Sequence, residues 1–170
     1  INLIKNIDLF LYVIDYRNTN HTNDKDLINL LRKYNKEIIL IINKDDNFEN
    51  NINLEILGIK TFFYISCSHK LGFDELLKYI NKYKFKINNP KKYNFSIALF
   101  GKTNVGKSTL LNNLVGFERS LVSKKPKTTT DVVSSSYKFK NYVYLIKDTA
   151  GLIKKNKIDK NSLDFYSTKK

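Results

Sequence analysis

Only one cysteine, Cys67, occurs in the 170 residues, which excludes an internal disulfide framework and fits a reducing compartment. Proline and glycine are scarce, at two and six, so the chain is neither a fibrous repeat nor a disordered low-complexity segment. No apolar run approaches the roughly 18 residues that a membrane-crossing helix needs. The opening stretch INLIKNIDLF has no secretory cleavage pattern and no methionine, and it reads as an internal cut in a longer protein. Acids are also in short supply, with 16 Asp and Glu against 30 Lys and Arg.

What remains is enough to build a core: 42% of residues are apolar and 13% aromatic, in a length that suits one domain or two halves. The acid deficit is uneven. Residues 1–90 carry 13 Lys and Arg against 11 Asp and Glu, whereas residues 91–170 carry 17 against 5. Counterion release would draw a phosphate-rich partner such as RNA to the second half. The heavy use of Asn, Lys, Ile and Tyr also fits AT-rich coding, which raises the lysine count without any functional cause.

The most informative stretch is Gly101 to Ser108, GKTNVGKS, which fits G-x-x-x-x-G-K-[S/T]. An apolar strand, Phe95 to Phe100, precedes it, and Thr109 to Val115 opens a helix after it. A glycine-rich loop entering a helix aims backbone N–H groups at one point, and the helix dipole adds positive potential there. The candidate phosphate seat is therefore Gly101, Asn104, Val105, Gly106, Lys107, Ser108 and Thr109. Lys107 adds a cation for the outer phosphates, and the Ser108 hydroxyl is the kind of hard ligand that octahedral Mg²⁺ takes.

Asp8 to Asp15, DLFLYVID, is a nearly continuous apolar run that predicts a strand covered on both faces and ending at an acid. Asn23 and Asp24 are placed to cap a helix whose Leu27, Leu30, Leu31 and Tyr34 share one face. Glu37 to Ile42 predicts the next buried strand, which runs into Asn43, Lys44, Asp45 and Asp46. Asn43, Lys44 and Asp46 match N-K-x-D. A carboxylate at Asp46 accepts two hydrogen bonds from the ring N–H and exocyclic amine of guanine, an arrangement adenine does not offer.

Thr61 to Ile65 predicts a third strand, followed by Ser66 to Gly72, SCSHKLG. This resembles the S-A-x-x-x-x-G loop that closes over guanine in small GTPases, with the small Cys67 in place of alanine. Cys67 otherwise reads as an inert buried thiol. His21 and His69 have no partners at metal or catalytic spacing and read as loop residues. Phe73, Leu76, Leu77 and Ile80 mark a helix, with Asp74 and Glu75 in its first turn. Residues 84–94 read as a linker. Gly116 to Thr130 is long and Thr-rich, and Val132 to Phe139 with Tyr142 to Ile146 predict an antiparallel hairpin at the sheet edge. The second strand leads into Asp148-Thr149-Ala150-Gly151, a D-x-x-G match.

Gly116 to Asp131 (GFERSLVSKKPKTTTD) and Asp148 to Ile158 (DTAGLIKKNKI) resemble the switch regions of the Der (EngA) family, whose members carry two tandem G domains and a C-terminal KH-like domain. The resemblance implies a P-loop α/β fold with a mainly parallel sheet flanked by helices, present as two half-domains. Residues 1–83 would be the closing half of the first G domain, 84–94 the linker and 95–170 the opening half of the second. It also implies hydrolysis of GTP to GDP and phosphate, a role in large ribosomal subunit assembly and contact with ribosomal RNA.

By the same resemblance, Mg²⁺ is held by Ser108, Thr129 and, through water, Asp148, with Thr128 as the alternative to Thr129. The Gly151 N–H meets the γ-phosphate, so Lys107, Thr129 and Gly151 carry catalysis. Lys127 and Thr130 replace the glycine and arginine of the usual G-T-T-R-D pattern. Leu152 stands where some GTPases have a water-orienting glutamine, and Asn104 matches an asparagine that helps bind K⁺ in place of an arginine finger. The motif order also fits a circularly permuted GTPase with one composite site, and a non-catalytic basic RNA-binding module is a third reading, although no aromatic stacking platform stands out. The expected setting is a bacterial cytoplasm or an organelle of bacterial descent.

Overall fold

The computed structural model describes residues 7–18, 20–46, 55–86, 95–116, 134–139 and 142–148. Among these residues six strands form one sheet: β1 (Leu9–Asp15), β2 (Glu37–Asn43), β3 (Phe62–Ile65), β4 (Phe95–Phe100), β5 (Ser134–Phe139) and β6 (Tyr142–Asp148). Three helices accompany them: α1 (Thr22–Arg32), α2 (Phe73–Lys86) and α3 (Lys107–Gly116). The strand order is β3-β2-β1-β4-β6-β5, parallel except for the β5–β6 hairpin at the edge.

β1 lies inside the sheet because its side chains are apolar on both faces. Leu9, Leu11 and Val13 join Ile39, Ile41, Ile97 and Leu99 on one face, where Phe73, Leu76 and Ile80 of α2 and Leu110, Leu111 and Leu114 of α3 cover them. Phe10, Tyr12 and Ile14 point the other way, against Leu40, Ile42, Phe100 and the α1 residues Leu27, Ile28 and Leu31. The period of two along the strand thus feeds two cores, and each such side chain fully buried contributes about 1.5–3 kcal/mol.

The two expected half-domains meet within this sheet. β1 pairs with β4 in parallel register, Leu9 opposite Ile97 and Tyr12 opposite Phe100. From β1 the chain leaves over one face through α1, and from β4 it leaves over the other through α3. Adjacent strands whose helices depart on opposite faces open a crevice at their carboxyl ends, the place where open α/β sheets hold ligands.

Several local expectations need correction. α1 begins at Thr22, with His21 at the N-cap and no side-chain cap bond, so Asn23 and Asp24 lie within its first turn. Asp24 is drawn inward by buried partners rather than turned back to cap the backbone. Leu30 is only half-buried, and Tyr34 falls beyond the helix end. The α2 backbone continues through Lys86, so the linker cannot begin at Lys84. β6 runs two residues past Ile146 to Asp148 because it pairs with β4 as far as Leu99. The short 3₁₀ turn Glu55–Leu57 was not predicted; Arg32 holds it with bonds of 2.8 Å to Leu57 O and to Gly58 O.

Candidate functional site

β4 delivers the glycine-rich loop directly over the ends of β1 and β2. A Cβ on Gly101 (φ +134°) would stand 2.1 Å from Val13 O, and one on Gly106 (φ +98°) would stand 2.2 Å from Asn43 Nδ2. Neither position accepts a side chain, for reasons of space and of φ alike. Gly106→Ala is therefore expected to displace Asn43 and to cost about 1–3 kcal/mol in backbone strain alone. Denaturant unfolding of the variant against the parent measures this.

α3 starts at the end of the loop, and its first backbone bond, Leu110 N to Gly106 O, is 2.8 Å. The amides of Lys107, Ser108 and Thr109 precede the helical ladder at the positive end of a ten-residue helix. The Lys107 ammonium is buried and donates to Gly101 O (2.9 Å) and Lys102 O (2.5 Å), inside the loop it belongs to. Ser108 and Thr109 are exposed.

The N-K-x-D residues reach this loop from β2. Asn43 is buried and bridges two segments: its Nδ2 donates to Val105 O (2.8 Å), and its Oδ1 accepts from Cys67 N (3.1 Å). Lys44 donates to Asn104 O (2.8 Å) and to Asp15 Oδ2 (2.7 Å). Asn113 of α3 completes the connection with a 2.7 Å bond from Nδ2 to Cys67 O.

Asp46 is exposed, and its carboxylate is oriented by Ser66 Oγ (2.5 Å) and Ser68 Oγ (3.3 Å). The Ser66 hydrogen bond, followed by that from Ser68 and the nearby His69 and Arg17, holds its pKa below the usual carboxylate value, with partial desolvation opposing. His69 is an exposed loop residue, as expected, with Nε2 3.9 Å from Asp46 Oδ1. An antiparallel bridge between Ser66 and Leu71 closes the loop beneath. Burial pushes the Cys67 thiol up to about 12, only partly offset by Asn113, which suits an unreactive space-filler.

Asn43, Lys44, Asp46, Ser66 and Cys67 are thus brought together with Gly101, Asn104, Val105, Gly106, Lys107, Ser108 and Thr109 along one sheet edge. The backbone of Asp148 ends β6 beside β4, in register with Leu99, two residues before Gly101. Thr128, Thr129, Gly151 and Leu152 lie outside the described residues.

Residues 96–169 match the family model described as 50S ribosome-binding GTPase. The chain is 36% identical to GTPase Der of Mycoplasma capricolum over 162 residues, which is 91% of this chain and 37% of that protein. It is also 36% identical to GTPase Der of Thermotoga neapolitana over 179 residues, 99% of this chain and 41% of the relative. Over nearly its whole length the chain is similar to GTPase Der proteins. It spans about two fifths of the length of these curated relatives. The fold is also similar to that in the crystal structure of YjeQ from Thermotoga maritima, with a TM-score of 0.55 and 22% identity over 86% of this chain and 50% of that one.

Der-type motifs do not reveal everything that shapes this site. Asp15 was legible only as an acid at a strand end. Burial raises its pKa, but hydrogen bonds from Arg17 and Lys44 outweigh this and leave it lowered, so it stands as the counterion of Lys44. His21 is not an unpartnered loop residue: it is buried, with Nδ1 3.1 Å from Asp24 Oδ2. Asp24 also accepts from Tyr12 and pairs with Lys102, contacts between residues too far apart in sequence for any periodicity to announce.

Proposed function

We propose that this chain is part of a GTPase that hydrolyses GTP to GDP and phosphate and acts in assembly of the large ribosomal subunit, in contact with ribosomal RNA. The observation that carries the nucleotide reading is Asn43, whose one amide ties the phosphate loop to the guanine-closing loop. The ribosomal reading is supported by the description of the matching family model and by the basic balance of residues 91–170.

In this reading the amides at the start of α3 take the β-phosphate oxygens, with Gly101, Asn104, Val105 and Gly106 shaping the backbone around them. Lys107 exchanges the carbonyls of Gly101 and Lys102 for phosphate oxygens, so the loop itself keeps the ammonium in place until nucleotide arrives. Asp46 accepts two hydrogen bonds from guanine, with Ser66 holding the carboxylate and Cys67 filling the space beneath. The residues fit Mg²⁺ in donor type and placement: Ser108 is exposed at the helix start, and the backbone of Asp148 lies in register with the strand leading into the loop. Bound Mg²⁺ would neutralise charge on the phosphate oxygens, with Thr129 as a further ligand and the Gly151 N–H at the γ-phosphate. Asn104, exposed at the loop crest with φ +63°, is assigned to K⁺, which makes hydrolysis potassium-stimulated.

The tandem arrangement, with the first G domain running to the end of α2 at Lys86, the rest of the expected 84–94 linker after it and 95–170 from a second G domain, is our reading of the longer protein. The β1–β4 pairing favours a second reading, a circularly permuted domain with one composite site. We place the protein in a bacterial cytoplasm or an organelle of bacterial descent. Among the described residues no helix is long and apolar enough to cross a membrane.

Lys107→Ala tests the enzyme reading. Removing a charge-assisted contact of about 1.5–3 kcal/mol should weaken GDP roughly 10- to 150-fold and abolish GTP turnover. Fluorescent-GDP displacement and phosphate release measure the two effects. A basic RNA-binding module would instead keep its RNA affinity and show no turnover in either protein.

A further inference from the structure

A buried carboxylate near the site, Asp24, is not one of the motif acids. Asp24 is only 1% exposed, yet it has three side-chain partners: Tyr12 OH at 2.9 Å on Oδ1, and on Oδ2 His21 Nδ1 at 3.1 Å and Lys102 Nζ at 2.9 Å. Tyr12 belongs to β1 and lies in the core beneath α1, and burial, followed by the nearby carboxylate, raises its phenol pKa strongly, so the hydroxyl stays a donor. A carboxylate only accepts, so His21 must present Nδ1–H to it, and His21 Nε2 is buried with no hydrogen-bond partner among the described residues.

Lys102 is the partner with consequences, because it lies inside the glycine-rich loop. Its ammonium is held by Asp24 and by Asn20 O at 2.9 Å, while its own carbonyl accepts from Lys107 at 2.5 Å. A chain of contacts therefore runs from a buried acid in α1, through the side chain and backbone of Lys102, to the ammonium assigned to the phosphates. The other end of the loop is fixed independently, by Asn43 on Val105 O and Lys44 on Asn104 O. Burying an ion pair contributes little to stability on balance, and its better-attested use is to specify one geometry.

We propose that Asp24 is a positioning residue for phosphate binding, which acts through Lys102 to hold the first half of the phosphate loop, and with it Lys107, in the register that receives the β-phosphate. This rests on the nucleotide reading above. It makes a demand that a purely structural role does not: disturbing the pair should weaken nucleotides that carry a β-phosphate and leave one that lacks it unchanged.

The test is titration of the 170-residue chain and its variants with GDP and GMP in Mg²⁺. Lys102→Gln and Asp24→Asn should each lower the GDP-to-GMP affinity ratio by roughly tenfold, the effect of about one charge-assisted hydrogen bond. The double variant should fall no further than the singles, and Lys102→Arg should retain the ratio. Should Asp24→Asn fail to fold, Lys102→Gln carries the test, since that side chain is partly exposed. A folded Lys102→Gln chain with an unchanged ratio would overturn the proposal. So would a loss in Lys102→Gln that a folded Asp24→Asn does not share, because Lys102 would then be touching phosphate itself. A parent chain that binds no GDP brings down the nucleotide reading and this inference with it, whereas a parent that binds GDP with an insensitive ratio brings down the inference alone.

Discussion

Asp46→Ala should weaken GDP by about two to four orders of magnitude and remove the preference for guanine over adenine, while leaving the fold intact. Asp46 is exposed, and buried Ser66 keeps Ser68 Oγ as a hydrogen-bond partner at 3.1 Å when the carboxylate is gone. Ser66 and Ser68 orient its carboxylate, and the Ser66 bond above all keeps it ionised below the usual carboxylate range. An oriented carboxylate facing two N–H donors of one base forms two charge-assisted hydrogen bonds, each about 1.5–3 kcal/mol, and their sum sets the expected range. The discrimination itself should be large, because adenine would leave the acceptor unpaired. The sign with pH follows from the lowered pKa: guanine preference is fully present above the ordinary carboxylate pKa and is lost only as pH falls through the lowered value. Competition of GDP and ADP against a fluorescent nucleotide gives both numbers, and an unchanged preference in the variant would place the base elsewhere.

Asn43→Ala should be the most destabilising single change at the site. It deprives Val105 O of a donor and Cys67 N of an acceptor, both within buried residues. Each buried group left unsatisfied costs about 1–3 kcal/mol, so roughly 2–6 kcal/mol is expected from a domain whose whole stability is of the order of 5–15 kcal/mol. GDP affinity should fall as well, since the same amide fixes both the phosphate loop and the closing loop. Asn43→Asp should not restore it, because an acceptor would then face Val105 O. Urea unfolding and calorimetric titration test the two consequences separately.

Much of this architecture was legible because it follows from local patterns. The apolar runs Leu9–Asp15, Glu37–Asn43 and Phe95–Phe100 are buried strands, since a parallel sheet with helices on both faces needs side chains that are apolar in both directions. The glycine-rich loop falls between strand and helix where its spacing places it, and its glycines sit where a Cβ would strike Val13 or Asn43. What could not be read was long-range and polar. Asp24 looked like a helix cap because Asp near a helix start usually is one; Tyr12 and Lys102, which draw it inward, are 12 and 78 positions away. Asp15 and Lys44 form a pair only because β1 and β2 are adjacent and in register. Whether the two halves share a sheet was equally beyond local pattern, since it depends on β1 and β4 finding each other across residues 84–94.

The central claim is that residues from both halves of this chain build one guanine-nucleotide site. Calorimetric titration of the chain with GDP and, separately, ADP in Mg²⁺ tests it most directly. One GDP bound per chain with no detectable ADP binding is the predicted result; no heat with GDP, or equal affinity for ADP, would contradict the account.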